Sequence, residues 1–272
     1  MSPSWRDRLY IALSPSRIDV MRIAGFMRRS AAYAELIPGI ELVGDAPWRG
    51  PLQALAEAIP NLAPRGGRCA VVLSNHFCRY VVVPGNTGLA NARERAAYAR
   101  LKFEEMFGAG AAASWEVRVG DAPPGAARLA CAVDRELMDG LRGTCSSARL
   151  KLSSVRPLLA ASFDQNRPRF STGQFWFASA EEGRLCLAAV ENYAWRSVTS
   201  QRIGRNLPEE LRSMLDRALL SAPGMTGDHV YLFSRDQPGE RARAVRGITV
   251  LPLAHGEDDG TANELARGRV FA

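Results

Sequence analysis

The chain contains one glycine-rich run that matches a nucleotide-binding pattern, Gly108-Ala109-Gly110-Ala111-Ala112-Ala113. In dinucleotide-binding proteins this GxGxxG/A pattern follows a strand and opens a helix, so that the helix N-terminus meets the pyrophosphate. Here the run follows a predicted helix and precedes a predicted strand, which is the reverse order. It therefore predicts a helix stop, and the sequence has no GxxxxGK[ST] phosphate loop.

Metal and redox sites have little support in the sequence. The histidines are far apart and lack ligand-like spacing: His76, His229 and His255. The five cysteines are odd in number and include no CxxC pair. Cys69, Cys131 and Cys186 fall in apolar runs that are typical of strands, so we predict reduced, buried thiols rather than a zinc or redox site.

Four neighbouring residues could anchor a partner: His76, Phe77, Arg79 and Tyr80. Aromatic and arginine side chains are common anchors of protein interfaces, so this segment is a candidate for binding a partner's peptide. The alternative is that Phe77 and Tyr80 pack between one lobe of the fold and a piece inserted into it, while Arg79 pairs with a carboxylate. Alternate residues of a strand face opposite sides, so both interpretations can hold together.

Net charge favours no nucleic-acid partner. The formal charge is +7, from 35 basic and 28 acidic residues. Lys102 and Lys151 are the only lysines, and the arginines are scattered, many of them beside acids. The densest arginine cluster, within residues 235–246, includes Asp236 and Glu240 and is typical of a solvated face. Weak attraction to an anionic membrane surface remains compatible with this balance.

The elements that carry these residues follow from periodicity. Strands are predicted at Arg68–Leu73 and Cys78–Val83, on either side of Ser74-Asn75-His76-Phe77. Ser and Pro favour turns, so Ser14-Pro15-Ser16-Arg17 predicts a hairpin loop between two β-prone runs. The other elements predicted in the first half are strands at Tyr10–Leu13, Ile18–Ile23, Trp115–Val119, Arg128–Val133 and Leu150–Val155, and helices at Pro51–Ile59, ending at Pro60, at Asn91–Phe107, and from an Asp134 cap.

The second half repeats the pattern of a strand meander followed by helices and strands. Asn206 and Glu209 predict a capping box at the start of its main helix. Its other predicted elements are a helix at Pro157–Phe163 and strands at Gln174–Ala178, Arg184–Val190, Ala194–Thr199, Val230–Phe233 and Ile248–Leu251. Alternating strands and helices indicate an α/β architecture, and two similar halves suggest two lobes.

The run from Val71 to Pro84 resembles a segment of the GspL cytoplasmic region of type II secretion systems and of its relatives PilM and MshI in type IV pilus machines. In that group a strand ends in Ser-Asp/Asn-His-Phe, continues through Arg-Tyr and reaches a proline, as Ser74–Pro84 does here. Further matching pieces follow in order, and the resemblance covers roughly Tyr10 to Phe233. We expect no transmembrane segment of the kind that follows this region in GspL, and in that respect the chain looks more like PilM.

The resemblance implies an actin-like, RNase H-like α/β fold of two lobes. The first lobe would span residues 1–156, with a small inserted subdomain at about 77–126. The second lobe would span residues 157–256, and residues 257–272 would form a polar tail. The implied role is a cytoplasmic scaffold, peripheral to the inner membrane, that binds a PilN-like or GspM-like membrane protein and a motor ATPase. A homodimer is a further possibility.

The hairpins that hold nucleotide in actin-like ATPases have changed composition here. Magnesium and phosphates need a carboxylate and flexible backbone donors, but the first hairpin has no Asp or Gly and contains Pro15. The matching hairpin of the second half has Glu181 and Glu182 without a glycine-rich run. We therefore expect no enzymatic activity and no cofactor. Residual ATP binding is the alternative, with Ser14, Ser16, Arg17 and Glu181 as the nearest candidates.

The sequence leaves three functional hypotheses. The first is a non-catalytic scaffold of a secretion or pilus platform. The second is an actin-like ATP-binding protein or ATPase with an unorthodox site. The third is a protein that assembles into filaments. No apolar stretch approaches the ~18 residues of a membrane span, so we expect the protein to stay in the cytoplasm.

Overall fold

The structure is a computed structural model that describes residues 8–24, 30–36, 46–63, 66–85, 88–89, 91–222, 224–234, 244–245 and 248–253. The strands are β1 (Arg8–Leu13), β2 (Ile18–Ala24), β3 (Ser30–Leu36), β4 (Arg68–Leu73), β5 (Cys78–Val83), β6 (Trp115–Val119), β7 (Arg128–Asp134), β8 (Lys151–Pro157), β9 (Gln174–Glu181), β10 (Arg184–Glu191), β11 (Ala194–Arg202), β12 (His229–Ser234), β13 (Ala244–Val245) and β14 (Ile248–Leu253). The α-helices are α1 (Arg49–Leu62), α2 (Ala92–Phe107), α3 (Arg135–Ser147), α4 (Leu158–Asn166) and α5 (Leu207–Ser221). None of these helices has the length and apolar character needed to cross a membrane.

The chain divides into two compact units. The described part of the first lies within Met1–Cys78 and Val133–Gln165, and that of the second within Arg79–Ala132 and Asn166–Glu257. This division differs from the predicted one at residues 156/157. Helix α4 belongs almost entirely to the first unit, and the inserted segment belongs to the second.

The sheet of the first unit has the order β3-β2-β1-β4-β8. β1, β2 and β3 form an antiparallel meander, whereas β1, β4 and β8 run parallel. β1 and β4 are buried along almost their whole length, as strands covered on both faces must be, and this explains their continuous apolar runs. The carboxyl ends of the three parallel strands meet at one edge of the sheet.

The main sheet of the second unit repeats this topology, with the order β11-β10-β9-β12-β14-β13. β9, β10 and β11 are antiparallel neighbours, and β9, β12 and β14 run parallel. One face of the sheet packs against α5 through a core that includes Trp176, Leu187, Leu211 and Met214. The internal duplication that the sequence suggested is therefore visible as two sheets with the same strand pattern.

A third, three-stranded sheet has the order β5-β7-β6 and packs against α2. Val83, Phe103 and Trp115 belong to its core. The inserted subdomain was predicted to end near residue 126, but β7 lies in the middle of this sheet and extends to Asp134. The predicted end is thus one strand too early, because the sequence offers no signal that assigns β7 to this sheet rather than to the larger one.

The helix caps agree with the sequence in two cases of three. The Asn91 side chain accepts a hydrogen bond from the Glu94 N–H at the start of α2. The Asn206 side chain does the same for the Glu209 N–H in α5. Asp134 precedes α3 but makes no capping hydrogen bond.

Other differences concern the segment around α1. This helix continues through Pro60 to Leu62 instead of ending at the proline. Strand β3 was not predicted at all. The polar tail predicted at residues 257–272 lies outside the described residues.

The turn between β10 and β11 holds Asn192 and Tyr193, with φ of 49° and 64°. Two successive residues with positive φ form a type I′ turn, whose twist suits a tight hairpin. This turn fixes the pairing of β10 with β11.

All five cysteines are free thiols. Cys69 on β4 and Cys145 on α3 are both buried in the first unit, and Cys186 on β10 is buried in the second. A hydrogen bond between the Cys69 and Cys145 side chains, together with burial, raises the pKa of Cys69. These three thiols are part of the packed interior, whereas Cys131, which was also predicted to be buried, is partly exposed.

Candidate functional site

The β1–β2 hairpin lies at the carboxyl edge of the first sheet and closes on itself. The Ser14 N–H donates to the Arg17 carbonyl oxygen at 3.0 Å, and the Ser14 hydroxyl donates to the same oxygen at 2.6 Å. The Arg17 N–H donates to Ser14 Oγ at 3.2 Å. Pro15 has no N–H to donate.

In a phosphate-binding loop, consecutive backbone N–H groups point towards the anion. Two backbone donors of this hairpin are engaged within the turn, and a third is replaced by a proline ring. Ser14 is buried and Ser16 is exposed. The three predicted nucleotide contacts of the first half thus lie together, but the turn holds them through its own hydrogen bonds.

Asp19 is a charged residue of this edge that was not among the predicted site residues. It lies on β2, is only 1% exposed, and its Oδ2 accepts a hydrogen bond from Arg17 Nε at 3.2 Å. In the first half, the predicted nucleotide contacts were limited to the Ser14–Arg17 loop, and Asp19 lies two residues after this loop. An acidic residue within an apolar strand is the signal that could have found it, because buried charges are usually paired.

The turn between β4 and β5 adjoins this hairpin, since the Ser74 N–H donates to the Leu13 carbonyl at 2.9 Å. Within the turn, the His76 N–H donates to Ser74 Oγ at 3.1 Å and the Phe77 N–H donates to the Ser74 carbonyl at 3.0 Å. His76 is half-buried. The turn is thus a compact structure that continues the edge of the parallel strands.

The four predicted partner-binding residues differ in accessibility. Phe77 is 1% exposed and Tyr80 is 4% exposed, so neither side chain offers a surface to a partner. Both side chains are therefore buried. His76 and Arg79 are half-buried and remain accessible in part.

Arg79 belongs to the second unit, where its guanidinium carbon lies 4.3 Å from the centroid of the Trp115 ring. This is a cation–π contact. Trp115 also meets Phe103 and Phe107 of α2 edge to face, with centroid distances of 6.0 and 5.5 Å. The ring is thus held between the helix and the arginine.

The end of α2 leaves apolar surface uncovered next to this ring. Met106 is 60% exposed and Phe107 is 45% exposed. Together with Arg79 these residues form what we call the α2 surface. A cation beside exposed apolar side chains is a composition typical of peptide-binding surfaces.

Glu181 lies in the second unit, at the carboxyl end of β9, and is buried. Ser14, Ser16 and Arg17 belong to the first unit. Arg184 on β10 is the cross-strand partner of Glu181. Ser234 ends the neighbouring strand β12.

Arg184 has an unusual environment for a cation. Burial is the main cause that lowers the pKa of Arg184, and the nearby charges of Arg202 and Arg79 lower this pKa further. Cys186 and Glu181 act in the opposite direction.

Within the described part of the chain, no group of three or more His, Cys, Asp or Glu residues could hold a metal ion.

No protein-family model and no curated protein matches the chain. Among solved structures, a chain of the PilM–PilN type IV pilus biogenesis complex is similar with a TM-score of 0.59 and 15% identity, covering 84% of this chain and 81% of that one. The cytoplasmic domain of EpsL, an inner-membrane component of the type II secretion system of Vibrio cholerae, is similar with a TM-score of 0.59 and 11% identity, covering 92% and 90%. A Bacteroides thetaiotaomicron protein with an actin-like ATPase fold and unknown function is similar with a TM-score of 0.57 and 10% identity, covering 87% and 84%.

These likenesses identify the fold as that of the actin-like ATPases. The predicted actin-like α/β fold is therefore confirmed. Structures from both machines named by the sequence resemblance, the pilus and the type II secretion system, are among those with the same fold.

Proposed function

We propose that the protein is a non-catalytic scaffold of a type II secretion or type IV pilus assembly platform. It binds the cytoplasmic segment of an inner-membrane protein of the PilN or GspM kind, and it also binds a motor ATPase. It works on the cytoplasmic side of the inner membrane, held there by its partners.

The observation that carries this proposal is the likeness of fold to a chain of the PilM–PilN complex over 84% of this chain. The EpsL cytoplasmic domain supports it over 92%. Both proteins belong to machines that assemble at a membrane, and the segment from Ser74 to Pro84 resembles the same group in sequence. A fold alone hosts many functions, so the likeness needs support from the sites themselves.

The β1–β2 hairpin supports the absence of catalysis. Hydrolysis of a nucleotide requires donors arranged around the phosphates before the reaction begins. Here the Ser14 and Arg17 donors serve the turn, and Pro15 contributes none. We therefore assign the first sheet edge a structural role.

The α2 surface is where we place the membrane partner's peptide. Arg79 is half-buried beside Trp115, while Met106 and Phe107 are exposed at the end of the helix. An apolar side chain of the peptide would cover the exposed pair, and its backbone carbonyls would meet the guanidinium. Tyr80 is left out of this surface because its side chain is buried.

The test uses fluorescein-labelled peptides copied from the cytoplasmic segments of PilN-like and GspM-like proteins of the same organism. Fluorescence anisotropy should detect binding to the wild-type protein, and Arg79→Ala should weaken it about tenfold. Arg118→Ala is the matched control, since Arg118 is an exposed arginine on β6 of the same sheet. If the wild type and Arg79→Ala bind the peptide with equal affinity, the α2 surface is not its binding site. If the wild type binds neither peptide, the scaffold proposal is wrong.

The second candidate function, an actin-like ATP-binding protein or ATPase, is favoured by Asp19. A buried carboxylate beside Arg17 stands at the edge where parallel strands end, which is where α/β proteins bind ligands. Magnesium-dependent phosphate release by the purified protein, abolished in Asp19→Asn, would support this function over the scaffold.

A further inference from the structure

A row of charged residues crosses three strands of the main sheet of the second unit. Arg184 on β10 is the direct cross-strand partner of Glu181 on β9 and of Arg202 on β11. Two like charges directly opposite each other in a sheet are destabilising unless another group compensates them. The row therefore places two guanidinium groups beside one carboxylate.

The row lies on the sheet face that points away from α5. Leu185 and Leu187 alternate with Arg184 along β10, and both leucines belong to the core that packs on α5. Since alternate side chains face opposite sides, Arg184 points to the other face. Ser200 shares this face, because it pairs with Cys186, two residues along β10 from Arg184.

Two buried donors on this face have no hydrogen-bond partner. They are Arg184 Nε and Ser200 Oγ. Buried polar groups in folded proteins are nearly always paired, because an unpaired group loses its hydration without compensation. Two unpaired donors on diagonal positions of neighbouring strands indicate a binding position for an acceptor.

The charge around these donors is positive. Arg202 and Arg79 act on Arg184 as like charges, and Glu181 is the carboxylate that acts on it. Two like charges and one carboxylate charge therefore act on Arg184. Burial adds to the imbalance, because moving a guanidinium out of water is costly unless its charge is fully compensated.

We propose that Arg184, Arg202 and Ser200 bind a carboxylate side chain of an acidic peptide from a partner protein. The two guanidinium groups supply charge-assisted hydrogen bonds, and Ser200 supplies a neutral one. This proposal does not rest on the scaffold function and would hold for either secretion or pilus machinery.

Two features favour a peptide carboxylate over a phosphate. Glu181 stands in the same row, and its charge repels a dianion more strongly than a monoanion. β11 is also an edge strand among the described strands of its sheet, so an extended peptide can pair with it along the backbone. Arg202, at the end of β11, is exposed and reachable from that edge.

The experiment measures binding of fluorescein-labelled hexaglutamate, with hexaglutamine as the neutral control. Hexaglutamate should bind the wild type and hexaglutamine should not. Arg184→Gln should weaken binding about tenfold, because a charge-assisted contact is lost. Ser200→Ala should weaken it by about threefold, the size of one neutral hydrogen bond.

Arg212→Gln is the matched control for charge. Arg212 is exposed on α5, over the opposite face of the same sheet, and its substitution makes the same change in net charge. The affinity of Arg212→Gln for hexaglutamate should stay within twofold of that of the wild type. Equal losses in Arg184→Gln and Arg212→Gln would mean that binding follows net charge alone and would overturn the proposal.

Two more measurements separate a carboxylate site from a phosphate site and from a purely structural arginine. The first measurement is competition with small anions. If inorganic phosphate displaces hexaglutamate at a lower concentration than free glutamate does, the site is a phosphate site instead.

Urea unfolding tests whether Arg184 has a purely structural role. Arg184→Gln should unfold at the same or a higher urea concentration, because it removes a half-buried cation whose buried Nε has no hydrogen-bond partner. A clear loss of stability would overturn the proposal.

Discussion

The side-chain oxygen Oδ1 of Asn75 accepts a hydrogen bond of 3.1 Å from the backbone N–H of Leu159. Asn75 lies in the turn after β4, and Leu159 is the second residue of α4, 84 positions along the chain. Asn75 therefore caps a helix from a distant loop and is fully buried while doing so. The asparagine of the Ser-Asn-His-Phe segment has a structural role.

We predict that Asn75→Ala lowers the free energy of unfolding by about 1–2 kcal/mol, because a helix loses its cap and a buried N–H loses its partner. Asn75→Asp should lose less, since a carboxylate can accept the same hydrogen bond and is favourable at a helix N-terminus. Urea unfolding followed by circular dichroism measures both. An alanine variant as stable as the aspartate variant would contradict the capping role.

Gly227 sits against the backbone of β9. A Cβ at this position would lie 2.6 Å from the Gln174 carbonyl oxygen, which is a backbone atom and cannot rotate away. Gly227→Ala should therefore destabilise the protein by about 1–3 kcal/mol. Gly224→Ala is the control, because nothing lies within 4 Å of its Cβ. Thermal unfolding should show a lower Tm for Gly227→Ala alone, and equal Tm values would refute the close approach.

Glu191 should make stability depend on pH in the acid range. A hydrogen bond from the Gln174 amide and another from Arg196 hold the pKa of Glu191 below its usual value of 4.5. A lowered pKa means that the ionised form stabilises the folded state above the usual value, and that this stability is lost as pH falls below 4.5.

Thermal unfolding between pH 7 and pH 3 should show this loss. Glu191→Gln cannot ionise, so its Tm should fall less over the acid range. Asp121→Asn is the control, since Asp121 is exposed in a loop. If Glu191→Gln and the wild type lost the same Tm on acidification, the network around Glu191 would not contribute.

Mg-ATP at about 1 mM should leave the Tm unchanged, because the Ser14–Arg17 turn uses its donors internally. A ligand at 100 times its Kd would stabilise by about 2.7 kcal/mol and raise the Tm by about 2–4 °C. A shift of that size would mean that the turn opens to admit phosphates. The same scan on Asp19→Asn would then identify the carboxylate involved.

Several elements could be read from the sequence because local signals agree with tertiary packing. β4, β5 and β6 were predicted with the bounds that the structure gives them, since each is a short run rich in β-branched and aromatic residues. β3 escaped prediction because its sequence, Ser-Ala-Ala-Tyr-Ala-Glu-Leu, contains no β-branched residue. Its strand conformation is stabilised by antiparallel pairing with β2 and not by the β-propensity of its own residues.

Where prediction from the sequence was wrong, long-range contacts decided the outcome. Asp134 was predicted to cap α3, but its Oδ2 accepts a hydrogen bond of 3.1 Å from Trp48 Nε1. Those two residues are 86 positions apart, and no local pattern signals the pairing. Ser200 and Arg184 were not among the predicted site residues, and the register of β10 and β11 brings them to one face.

The buried thiols give the molecule a natural set of chemical reporters. Cys145 lies in the interior of the first unit and Cys186 in that of the second, so an alkylating reagent can reach each one only when its own unit opens. Cys131 is partly exposed and provides the rate for a reachable thiol. Pulsed alkylation followed by peptide mass spectrometry can thus measure the rate at which each unit opens, without any engineered label. It can also reveal whether a bound partner slows the opening of one unit or of both.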